Sequence, residues 1–179
     1  MVSYEDIYRN AINEIEFLFN VLKADELQNT VDLICSGDFD QIVGFGAGRM
    51  GYAMQAFIMR LAHIGFDAYM IGDTSFPRIG RRTLVLMNSS SGETPTSILY
   101  AQQAINQGGY LISITQNSES RLGKLSDQVI QYPIVASKQI MKTLPEQFTF
   151  ILFDVLSEAI IRQTDGRRDL ISKNHSISE

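Results

Sequence analysis

The sequence predicts an α/β fold, a three-layer αβα sandwich whose centre is a five-stranded parallel sheet. Five short apolar runs alternate along the chain with segments whose apolar residues recur at helical spacing. This alternation is typical of a parallel sheet covered by helices on both faces. The length of 179 residues lies within the usual range of one domain, so we expect a single domain over 1–179.

Two helices are expected before the first strand. Apolar residues recur at helical spacing over 4–22 and again over 25–35, which predicts a helix in each range. Ser36-Gly37-Asp38 then forms a turn signal. We therefore expect N-terminal helices within 1–36 and the αβα core within 37–163.

The core alternates strands and helices, and its last helix is the longest. The apolar runs predict strands over 41–45, 66–71, 83–87, 110–115 and 127–132. Helical spacing predicts helices over 50–63, 96–106, 120–126 and 145–163. The remaining segment, 164–179, is polar and weakly patterned.

Ligands in doubly wound folds bind beyond the carboxyl ends of the strands, near the point where the strand order reverses. The loops in that position are 44–51, 88–94 and 115–120. The second loop, Asn-Ser-Ser-Ser-Gly-Glu-Thr, is the most informative feature of the chain, because it joins an apolar strand to a helix that opens at Pro95.

The hydroxyls of this second loop are Ser89, Ser90, Ser91 and Thr94. One such residue is enough to cap a helix, so capping alone does not explain all of them. Hydroxyls combined with the backbone N–H groups of a helix N-terminus form a site for anions. The loop therefore predicts a site for phosphate or another small anion.

The first loop has two interpretations. Gly44-Phe45-Gly46-Ala47-Gly48 after a strand is similar to a dinucleotide-binding turn, and Asp73 supplies an acidic residue after the second strand. That interpretation leaves the hydroxyl-rich loop without a role. Arg49 follows the glycines and is a candidate anion partner, the alternative being a solvated helix face.

Three further residues are candidates for proton transfer. Glu146 begins the last helix, where the helix dipole alone favours a carboxylate, but it is also suited to move a proton on a carbon beside a carbonyl. Glu93 offers the same chemistry, although its place before a helix favours an orienting or capping role. His175 lies in the polar tail and is either a tail residue without a role or a titratable group delivered to a site.

Composition excludes several classes of function. The net charge is -5, with 15 Lys and Arg against 20 Asp and Glu, which gives no basic face for nucleic acid or an anionic membrane. Cys35 is the single cysteine, which excludes an internal disulfide and favours a reducing cytoplasm. No Cys/His spacing typical of a metal site occurs. We expect neither export by a signal peptide nor a segment of about 18 apolar residues spanning a bilayer.

Four blocks of the sequence resemble the SIS (sugar isomerase) family in their order and spacing. They are Val-Gly-Phe-Gly-Ala-Gly-Arg-Met-Gly at 43–51, Met-Arg-Leu-Ala-His-Ile-Gly-Phe at 59–66, the loop at 88–94, and Ser-Ile-Thr-Gln-Asn-Ser-Glu-Ser at 113–120. Within the family the chain is most similar to the 6-phospho-3-hexuloisomerases, and the resemblance covers nearly the whole chain.

The resemblance implies a flavodoxin-like sandwich that binds a phosphorylated sugar and isomerises it through an enediol, without a metal or organic cofactor. Ser89, Ser91 and Thr94 match the hydroxyls of the family's phosphate loop, with Ser90 between them. The site residues that it implies for substrate binding are completed by Gly46, Gly48, Arg49 and Thr115.

Glu146 matches the family's candidate base, and His175 matches its candidate group for ring opening or proton transfer. The resemblance implies that His175 reaches the site from a neighbouring subunit of a homotetramer.

Three departures from the subfamily pattern bear on the substrate. Met50 stands in place of a serine, Asn88-Ser89-Ser90 in place of Gly-Ser-Gly, and segment 136–143 lacks the motif that precedes the glutamate. Two alternatives to the subfamily's reaction therefore stay open. One is an isomerase of another phosphosugar such as arabinose 5-phosphate, and the other is a phosphosugar-binding module without chemistry.

Overall fold

The computed structural model describes residues 2–164 and 167–174. Its strands are β1 Gln41–Gly46, β2 Ala68–Met70, β3 Thr83–Asn88, β4 Tyr110–Thr115 and β5 Gln128–Gln131. Its helices are α1 Tyr4–Asn20, α2 Ala24–Cys35, α3 Arg49–Ile64, α4 Pro95–Asn106, α5 Arg121–Leu125, α6 Thr143–Gln163 and α7 Arg168–Lys173.

The five strands form one sheet in the order β2-β1-β3-β4-β5, and every neighbouring pair is parallel. This is the flavodoxin-like order of a doubly wound sheet. The predicted α/β class and the five-stranded parallel sheet are therefore confirmed. The order reverses between β1 and β3, so a crevice is expected beyond the carboxyl ends of these two strands.

Alternating side chains of the strands pack against different helix layers. On one face Leu84 and Leu86 of β3 lie in a large apolar cluster with residues of α1, α2, α3 and α6. On the other face Val85 and Met87 lie in a smaller cluster with residues of α4 and α5. All six residues of β3 are buried, which explains why its sequence is apolar without alternation.

Glu14 of α1 fixes the connector between β5 and α6, residues 132–142. Its carboxylate accepts hydrogen bonds from the Ser137 hydroxyl at 2.7 Å, the Lys138 backbone N–H at 2.8 Å and the Gln139 amide at 3.1 Å. Burial raises the pKa of Glu14, but these hydrogen bonds outweigh burial and hold its pKa below the usual value. An N-terminal helix therefore anchors the segment that leads into α6.

The structure adds one helix in the segment 164–179, where the sequence shows weak patterning. Helix α7 lies against the carboxyl end of α3. Arg167 stacks its guanidinium 4.3 Å from the centre of the Phe66 ring, and Asn174 donates to the carbonyl of His63 at 3.1 Å. A helix of six residues has too few apolar positions to show a helical period in the sequence.

No helix among residues 2–164 and 167–174 is both long and apolar enough to cross a membrane.

Candidate active site

A cleft of about 240 Å³ lies at the carboxyl ends of β1 and β3, where the strand order reverses. Three segments line it: the loop after β1, the loop after β3 and the start of α6. The lining residues are Ala47, Gly48, Arg49, Met50, Asn88, Ser89, Ser90, Ser91, Thr94, Lys142 and Glu146. The register brings the two loops together, because Gly46 of β1 pairs with Asn88 of β3.

The loop 88–94 turns at Gly92, whose φ of +66° lies in the left-handed region that favours glycine. A Cβ at this position would also overlap the Ser120 side chain. The backbone N–H of Gly92 donates to the Ser89 carbonyl at 3.1 Å, and the Gly92 carbonyl accepts from Leu122 N–H at 3.1 Å. The loop is therefore closed on itself and pinned to α5.

The hydroxyls of Ser89 and Thr94 lie 3.3 Å apart on this loop. Thr94 occupies the N-cap position of α4, but its side chain makes no capping hydrogen bond, and Pro95 follows at the first turn. The side chain thus leaves the first N–H groups of α4 to another acceptor. A helix N-terminus with uncapped N–H groups beside two hydroxyls has the donors that a phosphate requires.

Ser90 and Thr115 join the loop to the carboxyl end of β4. The Ser90 hydroxyl donates to Oε1 of Gln116 at 2.6 Å, and the Ser90 carbonyl accepts from the Thr115 hydroxyl at 3.2 Å. Thr115 is fully buried and does not line the cleft. Of the residues expected to bind substrate, Thr115 therefore supports the loop.

Gly46 also lies outside the lining of the cleft. A Cβ at Gly46 would approach the backbone of Met50 and Gly51 to 2.8 Å, so this glycine allows α3 to start close to the end of β1. That close start of α3 brings Gly48 and Arg49 to the edge of the cleft. Asp73, the acidic residue of the dinucleotide interpretation, is not among the lining residues.

Arg49 and Glu146 meet across the cleft, with Arg49 Nε 2.8 Å from Glu146 Oε2. The Arg49 side chain is 62% exposed, whereas that of Glu146 is 17% exposed. The carboxylate of Glu146 therefore lies at the wall of the cleft that also holds the hydroxyl-rich loop. A carboxylate in this position can exchange a proton with a ligand that occupies the cleft.

Glu93 does not line the cleft and pairs with Arg121 instead. Its carboxylate accepts from the Arg121 backbone N–H at 2.8 Å and from Arg121 Nε at 2.6 Å. The backbone hydrogen bond and the guanidinium of Arg121 lower the pKa of Glu93 below its usual value. The orienting role that the sequence favoured for Glu93 fits this geometry, since the ion pair ties the loop to α5.

Lys142 is a cleft residue that the sequence reasoning missed. It is exposed, it precedes Glu146 by one turn, and no ion pair of its side chain occurs within residues 2–164 and 167–174. A cation here adds to the attraction of the cleft for an anion. Only its place four residues before Glu146 could have drawn attention to it in the sequence.

His175 lies outside the described residues. The residue before it, Asn174, is bonded to His63 near the end of α3, whereas Arg49 starts that helix. Fourteen helical steps of about 1.5 Å separate the two ends of α3 by roughly 21 Å. Within the described part of the chain, no group of three or more His, Cys, Asp or Glu side chains is arranged to hold a metal ion.

The doubly wound sheet and the cleft at its switch point define an α/β protein whose ligand site is lined by hydroxyls and by a helix N-terminus. The SIS domain model matches residues 38–156, and the chain belongs to the SIS family.

Two similar proteins are connected with 3-hexulose-6-phosphate isomerase. The chain is 35% identical over 122 residues to the 3-hexulose-6-phosphate isomerase of Bacillus subtilis, covering 68% of this chain and 65% of the relative. A crystal structure of a hypothetical protein from Methanococcus jannaschii, for which a molecular function of 3-hexulose-6-phosphate isomerase is inferred, matches with a TM-score of 0.86. It is 27% identical and covers 96% of this chain and 98% of that one.

A third similar structure is the NanR protein of Vibrio vulnificus complexed with ManNAc-6P. It matches with a TM-score of 0.82 at 21% identity, covering 96% of this chain and 67% of that chain. At this identity the likeness shows the shared fold.

Proposed function

We propose that the protein is a phosphosugar isomerase that converts arabino-hex-3-ulose 6-phosphate to fructose 6-phosphate. The observation that carries the proposal is the carboxylate of Glu146 in the same cleft as the hydroxyl-rich loop 88–94. The names of the similar proteins from Bacillus subtilis and Methanococcus jannaschii support the choice of substrate.

The phosphate group binds at the loop 88–94 and the start of α4. The hydroxyls of Ser89, Ser91 and Thr94 donate to its oxygens, as do the N–H groups of the first turn of α4. Gly48 and Arg49 close the opposite side of the cleft. With the phosphate fixed at one end, the carbon chain of the sugar extends toward Glu146.

Glu146 acts as the base in a proton transfer between neighbouring carbons. It removes the proton from C2, beside the C3 carbonyl, and the C3 oxygen gains a proton to give an enediol. The proton then returns to C3 while the C2 hydroxyl loses its own and becomes the new carbonyl. Every atom is conserved, and no oxidant or reductant is consumed. Proton transfer by a positioned carboxylate contributes rate factors of about 10² to 10⁴.

We propose that the protein is a cytoplasmic homotetramer in which His175 acts in the site of a neighbouring subunit. Two features support a neighbour. Asn174 is anchored at the far end of α3 from Arg49. A second depression of about 210 Å³ shares Arg49 and Glu146 with the cleft and is lined by Tyr52 and Phe150, whose side chains are exposed apolar surface. Sedimentation that shows only monomer at micromolar concentration contradicts a shared site.

A second candidate is a phosphosugar-binding module without chemistry. The observation that favours it is the Arg49–Glu146 ion pair, because a carboxylate held by a guanidinium at 2.8 Å is engaged before any substrate arrives. Such a protein binds phosphosugars through the loop 88–94 and releases them unchanged.

A coupled assay separates the two. Enzymatically generated arabino-hex-3-ulose 6-phosphate is supplied to the wild type and to Glu146→Gln, and fructose 6-phosphate is followed. Gln has the size of Glu but cannot take a proton, so turnover falls by about 10²-fold or more while phosphosugar binding persists. Binding without turnover in the wild type supports the module instead. A panel that includes arabinose 5-phosphate identifies an isomerase of another sugar.

A further inference from the structure

A buried amide at the wall of the cleft joins the three elements that build it. Asn88, the last residue of β3, is fully buried. Its Nδ2 donates to the Met50 carbonyl at 3.0 Å and to the Thr149 hydroxyl at 3.2 Å. Met50 directly follows Arg49 in α3, and Thr149 lies one turn after Glu146 in α6. One amide therefore holds both helices that carry the ion pair of the cleft.

The orientation of this amide is fixed by its partners. A flipped Asn88 would set its oxygen against the Met50 carbonyl, which cannot donate a hydrogen bond. In the observed orientation Oδ1 is buried and has no hydrogen-bond partner within the part of the chain that the structure describes. A buried unpaired acceptor is destabilising. What the amide contributes therefore comes from its two donated hydrogen bonds.

The ion pair alone does not fix the base. The Arg49 side chain is largely exposed, and exposed ion pairs hold their geometry weakly. The Thr149 hydroxyl is fully buried and has one hydrogen, which is within reach of the Glu146 carbonyl at 3.3 Å and of Met50 Sδ at 4.0 Å. A hydroxyl buried in this way has no water to turn to, so it keeps these partners.

We infer that Asn88 and Thr149 are positioning residues, which set the place of the Glu146 carboxylate relative to a sugar whose phosphate lies on loop 88–94. The inference rests on the proposed isomerase function. Proton transfer depends on the placement of the base to within about 1 Å. Phosphate binding depends on the hydroxyls of Ser89, Ser91 and Thr94 and on the N-terminus of α4. Among the described residues, the Asn88 and Thr149 side chains make no hydrogen bond to these groups. Loss of the Asn88 and Thr149 hydrogen bonds therefore lowers kcat and leaves the affinity for phosphate unchanged.

Two matched substitutions at Thr149 test this. Thr149→Val keeps the shape of the side chain and removes the hydroxyl, whereas Thr149→Ser keeps the hydroxyl and removes a methyl group. We expect Thr149→Val and Asn88→Ala to lower kcat by about tenfold or more, because a misplaced base transfers protons slowly. We expect Thr149→Ser to keep most of the turnover. KM and the Kd for inorganic phosphate, measured by calorimetry, change by about twofold or less in all three, because the phosphate donors are unaltered.

Two results overturn the inference. Equal kcat values in Thr149→Val and Thr149→Ser show that the hydroxyl positions nothing. A parallel loss of phosphate affinity and kcat shows a general disturbance of the cleft. The double variant Asn88→Ala with Thr149→Val adds a check, because partners in one hydrogen bond give effects that are less than additive.

Amide hydrogen exchange tests the hydrogen bonds of Asn88 and Thr149 independently of activity. In Thr149→Val, exchange in 143–149 becomes faster than in Thr149→Ser, whereas exchange in α4 is equal in both variants. If the wild type turns over no phosphosugar, the proposed function fails. The exchange comparison alone then tests whether the hydrogen bonds of Asn88 and Thr149 hold the start of α6. Equal exchange in 143–149 overturns the inference.

Discussion

Gly92→Ala is expected to damage the anion-binding loop more than an equivalent substitution elsewhere. The backbone of Gly92 has φ +66°, and a left-handed conformation costs an L-residue about 1–2 kcal/mol. A Cβ there also overlaps the Ser120 side chain and lies 3.1 Å from the Thr115 hydroxyl. Overpacking of this kind costs about 1–3 kcal/mol, so the total loss of unfolding free energy is about 2–5 kcal/mol.

Gly37→Ala is the matched control. Gly37 has φ +78°, but a Cβ there meets nothing within 4 Å. Its substitution therefore carries the conformational cost alone, about 1–2 kcal/mol. Urea unfolding gives both free energies, and calorimetry with inorganic phosphate gives the affinity. Gly92→Ala loses phosphate binding, whereas Gly37→Ala keeps it. Gly37 lies in the turn between α2 and β1, at the amino ends of the strands, and the cleft lies at their carboxyl ends.

The double variant Gly92→Ala with Ser120→Gly separates the clash from the strain. Ser120 caps α5 by accepting from the Gly123 N–H at 3.1 Å, and its hydroxyl donates to the Asn117 carbonyl at 2.6 Å, so replacing it by glycine costs about 1 kcal/mol. The clash costs up to about 3 kcal/mol, so removing the Ser120 side chain still restores part of the stability that Gly92→Ala loses. Equal losses in Gly92→Ala and Gly37→Ala, or a double variant no more stable than Gly92→Ala, refute the reasoning.

Lys142→Met is expected to weaken phosphosugar binding several-fold and to reduce the salt dependence of the Kd, because salt screens the attraction between an exposed cation and the anion. The control Lys173→Met, a change on α7, leaves the calorimetric Kd unchanged. Glu14→Gln is expected to lower stability at pH 7. The folded pKa of Glu14 is lowered, so its contribution is present above the unfolded pKa and is lost as pH falls through the folded pKa. The urea midpoints of the wild type and Glu14→Gln thus converge as the pH falls below the folded pKa of Glu14; a constant gap contradicts this. Phe57→Ala removes a ring stacked at 4.7 Å on Phe153 and costs about 3–5 kcal/mol in urea unfolding, and a loss below about 1 kcal/mol contradicts the packing.

The sheet was predictable because each strand is a short, mainly apolar run that can be recognised from its own local sequence. The site was partly predictable for a related reason. In a parallel sheet the loops after neighbouring strands meet at one edge, so the residues after β1 and β3 had to come together. Arg49 and Ser89 accordingly line one cleft, and the start of α6 adds Glu146 to it.

Residues whose position depends on side-chain direction were not predictable. Thr115 belongs to a loop at the correct edge, yet its hydroxyl donates to a carbonyl of the loop 88–94. Lys142 lies in a connector without periodicity, whose path is set by hydrogen bonds to Glu14, more than 120 residues away in sequence. No local pattern encodes contacts of that separation.

The division of roles around the cleft follows from hydrogen bonding and not from burial, because Ser89 is nearly as buried as Asn88 and Thr149. The residues that meet a ligand need donors that water or substrate can reach, and the sequence marks them as a surplus of hydroxyls after a strand. The residues that aim them, Asn88 and Thr149, are buried and hydrogen-bonded to each other. In a sequence they are indistinguishable from a strand end and a helix interior. Substitutions at Asn88 and Thr149 are therefore as informative about activity as substitutions in the loop 88–94, because the efficiency of a base depends on the contacts that position it.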